Sequence, residues 1–366
     1  MAAPSSTVWP LDPHTAAKHL ILRRYLDAWL PILSHGGFPE IAYVDAFAGP
    51  GKYSKGEDGS PIIALKAMLT HTTPIRAKCR FHFVELKPER AEALDAAIKS
   101  LLEQYGHPAN ISVTIHQSDF ESAYPSIRSD LSGSGNIPTF AFVDPFGWTG
   151  LPFSVVRDLI RRPSCEVLIN FMFEEINRFL AHPDQVANFD LLFGAGIWRD
   201  CINLSGNTRN QCLRDLYARQ LSGSADAAFV RYFEMRNARN ATDYFLFFAT
   251  NRLQGLKKMK EAMWKVDEAG QFTFSDATDP SQLVMFDEPQ FAMLKSQVVS
   301  AFSGREASVE EVEEFVVART AFRETHYKAQ VLKMLEFATP PGLTVIRAKE
   351  GRRRGTFPAG TTMRFS

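Results

Sequence analysis

Four acidic residues take matching places along this chain. Asp45 closes the apolar run of "YVDAFAGPGK" (residues 43–52), Glu85 closes "RFHFVE", Asp119 follows "ISVTIHQ" and Asp144 follows "TFAFV". Each stands where a short apolar segment of strand type ends. In an open parallel sheet the carboxyl ends of the strands form the ligand-binding edge, so these carboxylates are candidates for one site. The turn Gly49-Pro50-Gly51 lets a ligand approach the backbone, because glycine carries no Cβ. Two nucleotide sites fit poorly. A phosphate-binding loop needs G-x-x-x-x-G-K-[ST], but Ala46 stands where its first Gly belongs and Tyr53 where a hydroxyl must hold magnesium. A dinucleotide fingerprint needs a third Gly, and Ser54 is there instead.

The remaining pattern is that of an S-adenosyl-L-methionine site in a class I methyltransferase. On this reading Asp45 meets the ligand's ammonium or a bound water. Phe47, Gly49 and Gly51 line the methionine end, Glu85 grips the ribose hydroxyls, Asp119 accepts from the adenine amino group and Phe120 stacks on the base. The fourth strand ends in "FVDPFGW". Methyltransferases that act on exocyclic amino groups carry Asp/Asn-Pro-Pro-aromatic there. A conjugated amino group is a poor nucleophile, and acceptors placed on its two N–H bonds help turn its lone pair out for attack. Asp144 and the Pro145 carbonyl are the candidate acceptors, and Phe146 or Trp148 the stacking ring. The motif departs from the pattern at Phe146 and Gly147. This Asp-Pro-Phe-Gly variant resembles the motif of transfer RNA guanine-N2 methyltransferases.

These residues need a scaffold. "TAAKHLILRRYLDAWLPIL" is an amphipathic helix, with Pro31 and Gly36-Gly37 marking its end. Helices are also expected in "SPIIALKAML", "KPERAEALDAAIKSLLEQYG" and "PFSVVRDLIRR". They alternate with strands at "IAYVDAF", "RFHFVE", "ISVTIHQSD", "TFAFVDPFGW" and "CEVLINFMF". Such βα alternation with apolar strands argues for a parallel sheet covered on both faces. Residues 174–226 read as a helical insertion, and "AAFVRYFEMRN" with "TDYFLFFATN" as an antiparallel hairpin. The fold class expected is therefore α/β: a Rossmann-like class I methyltransferase sheet of five parallel strands plus a hairpin. It occupies residues 1–270, followed by a linker at 271–290. Residues 291–366 read helix, helix, helix, ribbon, the order of a winged helix-turn-helix, with Ser308 and Glu311 forming a capping box. No internal repeat or low-complexity tract is present.

The chain resembles the three-Cys-motif partner protein family. The resemblance is carried by Lys18 in the first helix, "YVDAFAGPGKY", "GSPIIAL", "FVELKPERAEAL", "FVDPFGW", "VLINFMFEEINRF" and "GLKKMKEAMW". It covers most of residues 10–270, and the C-terminal part is similar to the winged helix such proteins often carry. It implies a Rossmann-like methyltransferase fold and a partner protein encoded nearby. It implies no cysteine motif in this chain, since the three cysteines belong to the neighbour.

Formal net charge is zero, so attraction to nucleic acid must be local. Residues 291–366 hold 12 Lys and Arg against 8 Asp and Glu. Lys328 and Lys333 fall on the third helix and Arg352, Arg353 and Arg354 in the ribbon turn. In a winged helix that helix enters a groove and the wing touches phosphate, so these five are the candidate contacts to DNA or RNA. Lys257, Lys258, Lys260 and Lys265 either extend the basic track or form a solvated helix face. Cys79, Cys165, Cys201 and Cys212 make no C-x-x-C pair and have no His at ligand spacing, which predicts reduced thiols and no metal site. The N-terminus shows no signal-peptide pattern, and "DYFLFFAT" is too short to span a bilayer. A cytoplasmic protein without membrane contact is expected. The competing expectation to an enzyme is a non-catalytic adaptor that keeps the methyltransferase fold and binds a partner protein or DNA.

Overall fold

The computed structural model describes residues 6–132, 137–267, 273–275 and 291–366. They divide into two units. The described residues of the first run to Gly255 and include Thr273–Ser275; those of the second start at Leu256 and include 291–366.

In the first unit, α1 (Pro13–His35) precedes β1 (Glu40–Asp45), α2 (Ser60–Leu69), β2 (Lys78–Val84), α3 (Pro88–Gln104) and β3 (Ile111–His116). There follow α4 (Phe120–Ser132), β4 (Thr139–Val143), α5 (Phe153–Arg161) and β5 (Cys165–Phe171). The insertion holds α6 (Phe173–Phe179), α7 (Val186–Phe193) and α8 (Gly206–Arg219). Then come β6 (Phe229–Arg236), β7 (Thr242–Thr250), the first residues of α9 (Leu253–Trp264) and β8 (Thr273–Ser275). The strands form one sheet in the order β3-β2-β1-β4-β5-β7-β6-β8. β1 to β5 run parallel, and β7 is antiparallel to both β5 and β6. This is the Rossmann-like class I methyltransferase sheet expected from the sequence. The chain starts at the centre, winds out to β3, and returns to lay β4 on the other side of β1. The carboxyl ends of β1 and β4 thus flank the topological switch point, where open sheets bind ligands.

Burial explains the strands. β4 and β5 are buried at every position, as mostly apolar strands covered on both faces are; the polar Glu166 and Asn170 of β5 are hydrogen-bonded there. The insertion is not a separate lobe. Phe189, Trp198 and Tyr217 are buried in the same core as Phe171, Phe247 and Leu159.

Several local expectations change. α1 runs through Pro31 instead of ending there. Proline lacks the N–H that would bond the Asp27 carbonyl, and His71 Nε2 lies 2.8 Å from that oxygen in its place. α4 was not anticipated; its first residue is Phe120. The 271–290 linker is strand at Thr273–Ser275, where β8 pairs with β6; its other positions lie outside the described residues. Cys201 and Cys212 are disulfide-bonded, against the expectation of four reduced thiols. The 3₁₀ segment Gly196–Cys201 and α8 bring their Cα atoms to 5.8 Å, within bridging range. Spacing in sequence carries no sign of that approach. The cysteines therefore lend no support to a reducing compartment.

The second unit holds most of α9, with α10 (Phe291–Phe302), β9 (Glu306–Ser308), α11 (Val309–Arg319), a π-helical turn at Lys328–Leu332 leading into α12 (Lys333–Phe337), β10 (Leu343–Arg347) and β11 (Thr362–Phe365). The three strands form an antiparallel sheet, β10-β11-β9, so β9 joins the two expected ribbon strands. The Ser308–Glu311 capping box is present. α9 moves from the first domain to this unit, which shifts the boundary from residue 270 to Gly255/Leu256. Its Lys260 is fully buried and donates to the Val316, Val317 and Thr320 carbonyls at 2.9–3.0 Å. An ammonium suits this place because the last carbonyls of a helix have no intrahelical donor.

Candidate active site

The glycine turn leaves β1 at the switch point. Gly49 and Gly51 take positive φ, and a Cβ on Gly51 would come within 2.9 Å of Leu94 on α3. Glycine here permits both the turn and its seating on α3. The Gly49 N–H donates to Glu85 at the tip of β2 (2.9 Å), whose other carboxylate oxygen accepts the Lys87 N–H. Glu85 thereby ties the β1 turn to the β2 turn and stays at the ligand edge. Its oxygens keep lone pairs for hydroxyl donors.

Asp45 does not reach the cleft. It is fully buried and accepts from Tyr43 Oη and the Phe47 N–H. Burial, reinforced by the charge of Asp144, lifts its carboxyl to about 7 against the opposing pull of its hydrogen bonds from Ser60, Phe47 and Tyr43. Its place is to brace the turn against the start of α2, not to meet an ammonium directly. Asp119 caps α4: its oxygens accept the Ser122 N–H (2.9 Å) and Oγ (2.8 Å), which hold it below the usual carboxylate range. Phe120, expected to stack on a base, is 1% exposed and packs in the core against Tyr124. As the first residue of an amphipathic helix, its ring faces inward.

Asp144 sits one residue beyond β4, and both its oxygens are held. Lys18 on α1 reaches one (2.5 Å) and Asn170 on β5 donates to the other (2.6 Å). Gly147 turns the motif with a φ of 99°. Pro145 follows Asp144 directly, and Phe146 is 40% exposed. Trp148 is no stacking candidate: it stacks on Phe189 and packs against Phe179.

The cleft between these elements is lined by Gly49 to Tyr53, Phe47, Ser60, Asp144, Phe146, His19 and Trp9. It encloses about 30 Å³, room for a water or two. Trp9 covers it. Its indole packs edge-on against Tyr53 and Phe146, the Arg90 guanidinium lies 4.7 Å from its ring centre, and its carbonyl accepts the Ser54 N–H. A ligand of nucleoside size requires this segment to move aside.

Four contributors were missed from sequence: Trp9, Lys18 as a partner of Asp144, His19 and Asn170. Two left a signal. Lys18 falls on the buried stripe of α1 with His14, Ile21 and Tyr25, where a solvated lysine has no place. Asn170 is, with Glu166 at the other end, one of two polar residues in a strand buried throughout.

The basic residues of the second unit divide. Arg352 Nη2 donates to both oxygens of the buried Glu336 carboxylate (2.7 Å each). Arg354 donates to the Glu336 carbonyl and lies over Phe337. Arg352 is thereby committed inside the unit, contrary to its expected role, whereas Arg354 keeps these contacts with its side chain exposed. Lys333 and Arg353 are exposed, and Lys328 lies beside the Tyr327 ring. Lys257 pairs with Glu313 and Lys258 with Glu261, so α9 is no simple basic track. Among the described residues no cluster of three or more His, Cys, Asp or Glu is placed to hold a metal, and no helix is long and apolar enough to cross a membrane.

No family model matches this chain, and no curated protein matches it. Solved structures do. Trm1 from Pyrococcus horikoshii, solved with S-adenosyl-L-methionine, is similar at 12% identity and a TM-score of 0.39, over 72% of this chain. The chain spans 62% of that protein's length. A Legionella pneumophila protein is similar at 13% identity and a TM-score of 0.38, over 66% of this chain and 86% of its own. A geranyl diphosphate methyltransferase, solved with its prenyl substrate and sinefungin, is similar at 13% identity and a TM-score of 0.27, over 62% and 76%. At such scores the fold stands on the strand order of the chain itself.

Proposed function

We propose that this chain is a methyltransferase using S-adenosyl-L-methionine, that its acceptor is an exocyclic amino group of a nucleobase in DNA or RNA, and that residues 291–366 are a winged helix-turn-helix that recruits the nucleic acid. One observation carries the reading. Asp144, followed by Pro145 and an exposed Phe146, is fixed by Lys18 and Asn170 beside the glycine turn at the switch point. The fit to the cofactor is supported by the cradle at Gly49 and Gly51, by Glu85 at the tip of β2, and by a buried imidazole nitrogen of His19 in the cleft without a partner.

The cofactor supplies an electrophilic methyl group. The chain supplies the rest. Asp144 and the Pro145 carbonyl accept the acceptor's two N–H bonds and help turn its lone pair toward the methyl group. Asn170 and Lys18 hold the carboxylate in one orientation. Phe146 stacks on the base, which a duplex would have to present flipped out.

The test is calorimetric titration with S-adenosylmethionine and S-adenosylhomocysteine, followed by transfer of labelled methyl to pooled nucleic acids. We expect micromolar binding, and in Asp144→Asn retained binding with turnover reduced at least about 100-fold, as for loss of a transition-state acceptor. Unaltered turnover in Asp144→Asn removes the catalytic assignment.

A second reading is favoured by the covered cleft. With Phe47 and Tyr53 lining it and Trp9 across it, the fold could serve an adaptor that binds a partner protein or DNA and transfers nothing. Absence of cofactor binding by well-folded protein, also after Trp9→Ala, selects this reading.

A further inference from the structure

α1 delivers two neighbouring polar side chains to the cleft. Lys18 is engaged by Asp144. His19 is 6% exposed and lines the cleft with Gly49, Gly51, Ser60 and Asp144, yet its Nδ1 has no hydrogen-bond partner. Native structures leave few buried polar atoms unpaired, and each such atom calls for an explanation. An unpaired buried atom on a residue that lines a ligand cleft marks a place where a ligand atom can complete the bond.

We propose that His19 Nδ1 is the hydrogen-bond subsite for the amino-acid end of the cofactor. This rests on the methyltransferase reading above. The assignment follows from position. Glu85 stands at β2 beyond Gly49 and does not line the part of the cleft that holds His19. With the ribose at Glu85 and the sulfur directed at Asp144, the end of the ligand left over the glycine turn is its ammonium and carboxylate. Burial, with the neighbouring Lys18 ammonium, holds the imidazole down to about 3. At neutral pH the ring is therefore uncharged, with one donor and one acceptor nitrogen. It serves a zwitterionic end without introducing a charge beside the Lys18–Asp144 pair.

The experiment compares two ligands on the full chain by calorimetry. S-adenosylhomocysteine carries the amino-acid end; 5′-methylthioadenosine keeps the nucleoside and sulfur but lacks it. His19→Phe fills the site without a polar atom, and His19→Asn returns an amide near the Nδ1 position. We expect His19→Phe to weaken S-adenosylhomocysteine about tenfold, the scale of one lost hydrogen bond, and to leave 5′-methylthioadenosine unchanged. His19→Asn is expected to recover part of the loss. Thermal unfolding of His19→Phe should be no lower than wild type, since an unpaired buried polar atom has been removed. Equal weakening of both ligands, or of neither, overturns the subsite while leaving the methyltransferase reading standing. If wild type binds neither ligand, with or without Trp9→Ala, that reading fails and the subsite with it.

Discussion

The ligand edge of the sheet and the basic ribbon of the second unit both looked functional for the same reason, a concentration of charge. They differ in what the fold does with it. In the ribbon, the Glu336 carboxylate draws in Arg352 and its carbonyl accepts from the exposed Arg354, so part of the arginine run is spent on holding α12 to the turn. At the sheet edge the charges are spent on holding each other in place: Lys18 and Asn170 on Asp144, Gly49 on Glu85. What remains there is a concave surface with a polar atom still unpaired. Charge count therefore marks a surface, whereas oriented charge beside an unpaired buried group marks a site.

Breaking the buried charges should show the largest effects. Lys260→Met removes the ammonium from three carbonyls at the end of α11, of which Val316 keeps the Thr320 hydroxyl. It should cost about 4 kcal/mol, the scale for disrupting a buried charge and its hydrogen bonds. Denaturant unfolding followed by Trp264 fluorescence reads this in the second unit; a loss below about 1 kcal/mol would show that the carbonyls find water.

Asp45 gives the next effect, with a definite sign. Its carboxyl is lifted from 3.8 to about 7 in the folded chain. Its contribution to stability is full below pH 4 and is lost as pH rises through 7. Wild type should thus lose on the order of 3 kcal/mol relative to Asp45→Asn between pH 4 and pH 8. Unfolding midpoints of the two proteins across that range measure it, and parallel curves would mean that Asp45 ionises freely.

In the ribbon, Arg352→Ala should destabilise the second unit by about 2 kcal/mol, because the buried Glu336 carboxylate loses its charged donor. Arg353→Ala, its exposed neighbour, should change stability by less than about 0.5 kcal/mol. If the winged-helix reading holds, Arg353→Ala instead weakens binding to mixed-sequence duplex and lowers its salt dependence by about one ion. Equal stability losses in the two variants would erase the distinction between spent and available arginines.

Much of this molecule was legible in sequence. Apolar runs ended by Asp45, Glu85 and Asp144 determine strands whose tips carry carboxylates, because a strand buried on both faces is apolar along its length and its polar residues fall at the ends; β3, ahead of Asp119, is instead a half-exposed edge strand. The βα alternation and the final hairpin determine the sheet. The tertiary structure decided which of those carboxylates face a ligand. Asp45 turns inward to Ser60, Asp119 is occupied as a helix cap, and Phe120 enters the core with α4. It also brought Lys18, His19 and Trp9 from the N-terminal segment to the end of β4 and the glycine turn, and it closed Cys201 onto Cys212. The meeting of Lys18 with Asp144 and of Trp9 with Phe146 is long-range, whereas the Asp119 cap and the Cys201–Cys212 bridge join positions near in sequence. Local pattern fixes which face of an element is apolar, but the partner that meets each polar atom is set only when distant segments pack.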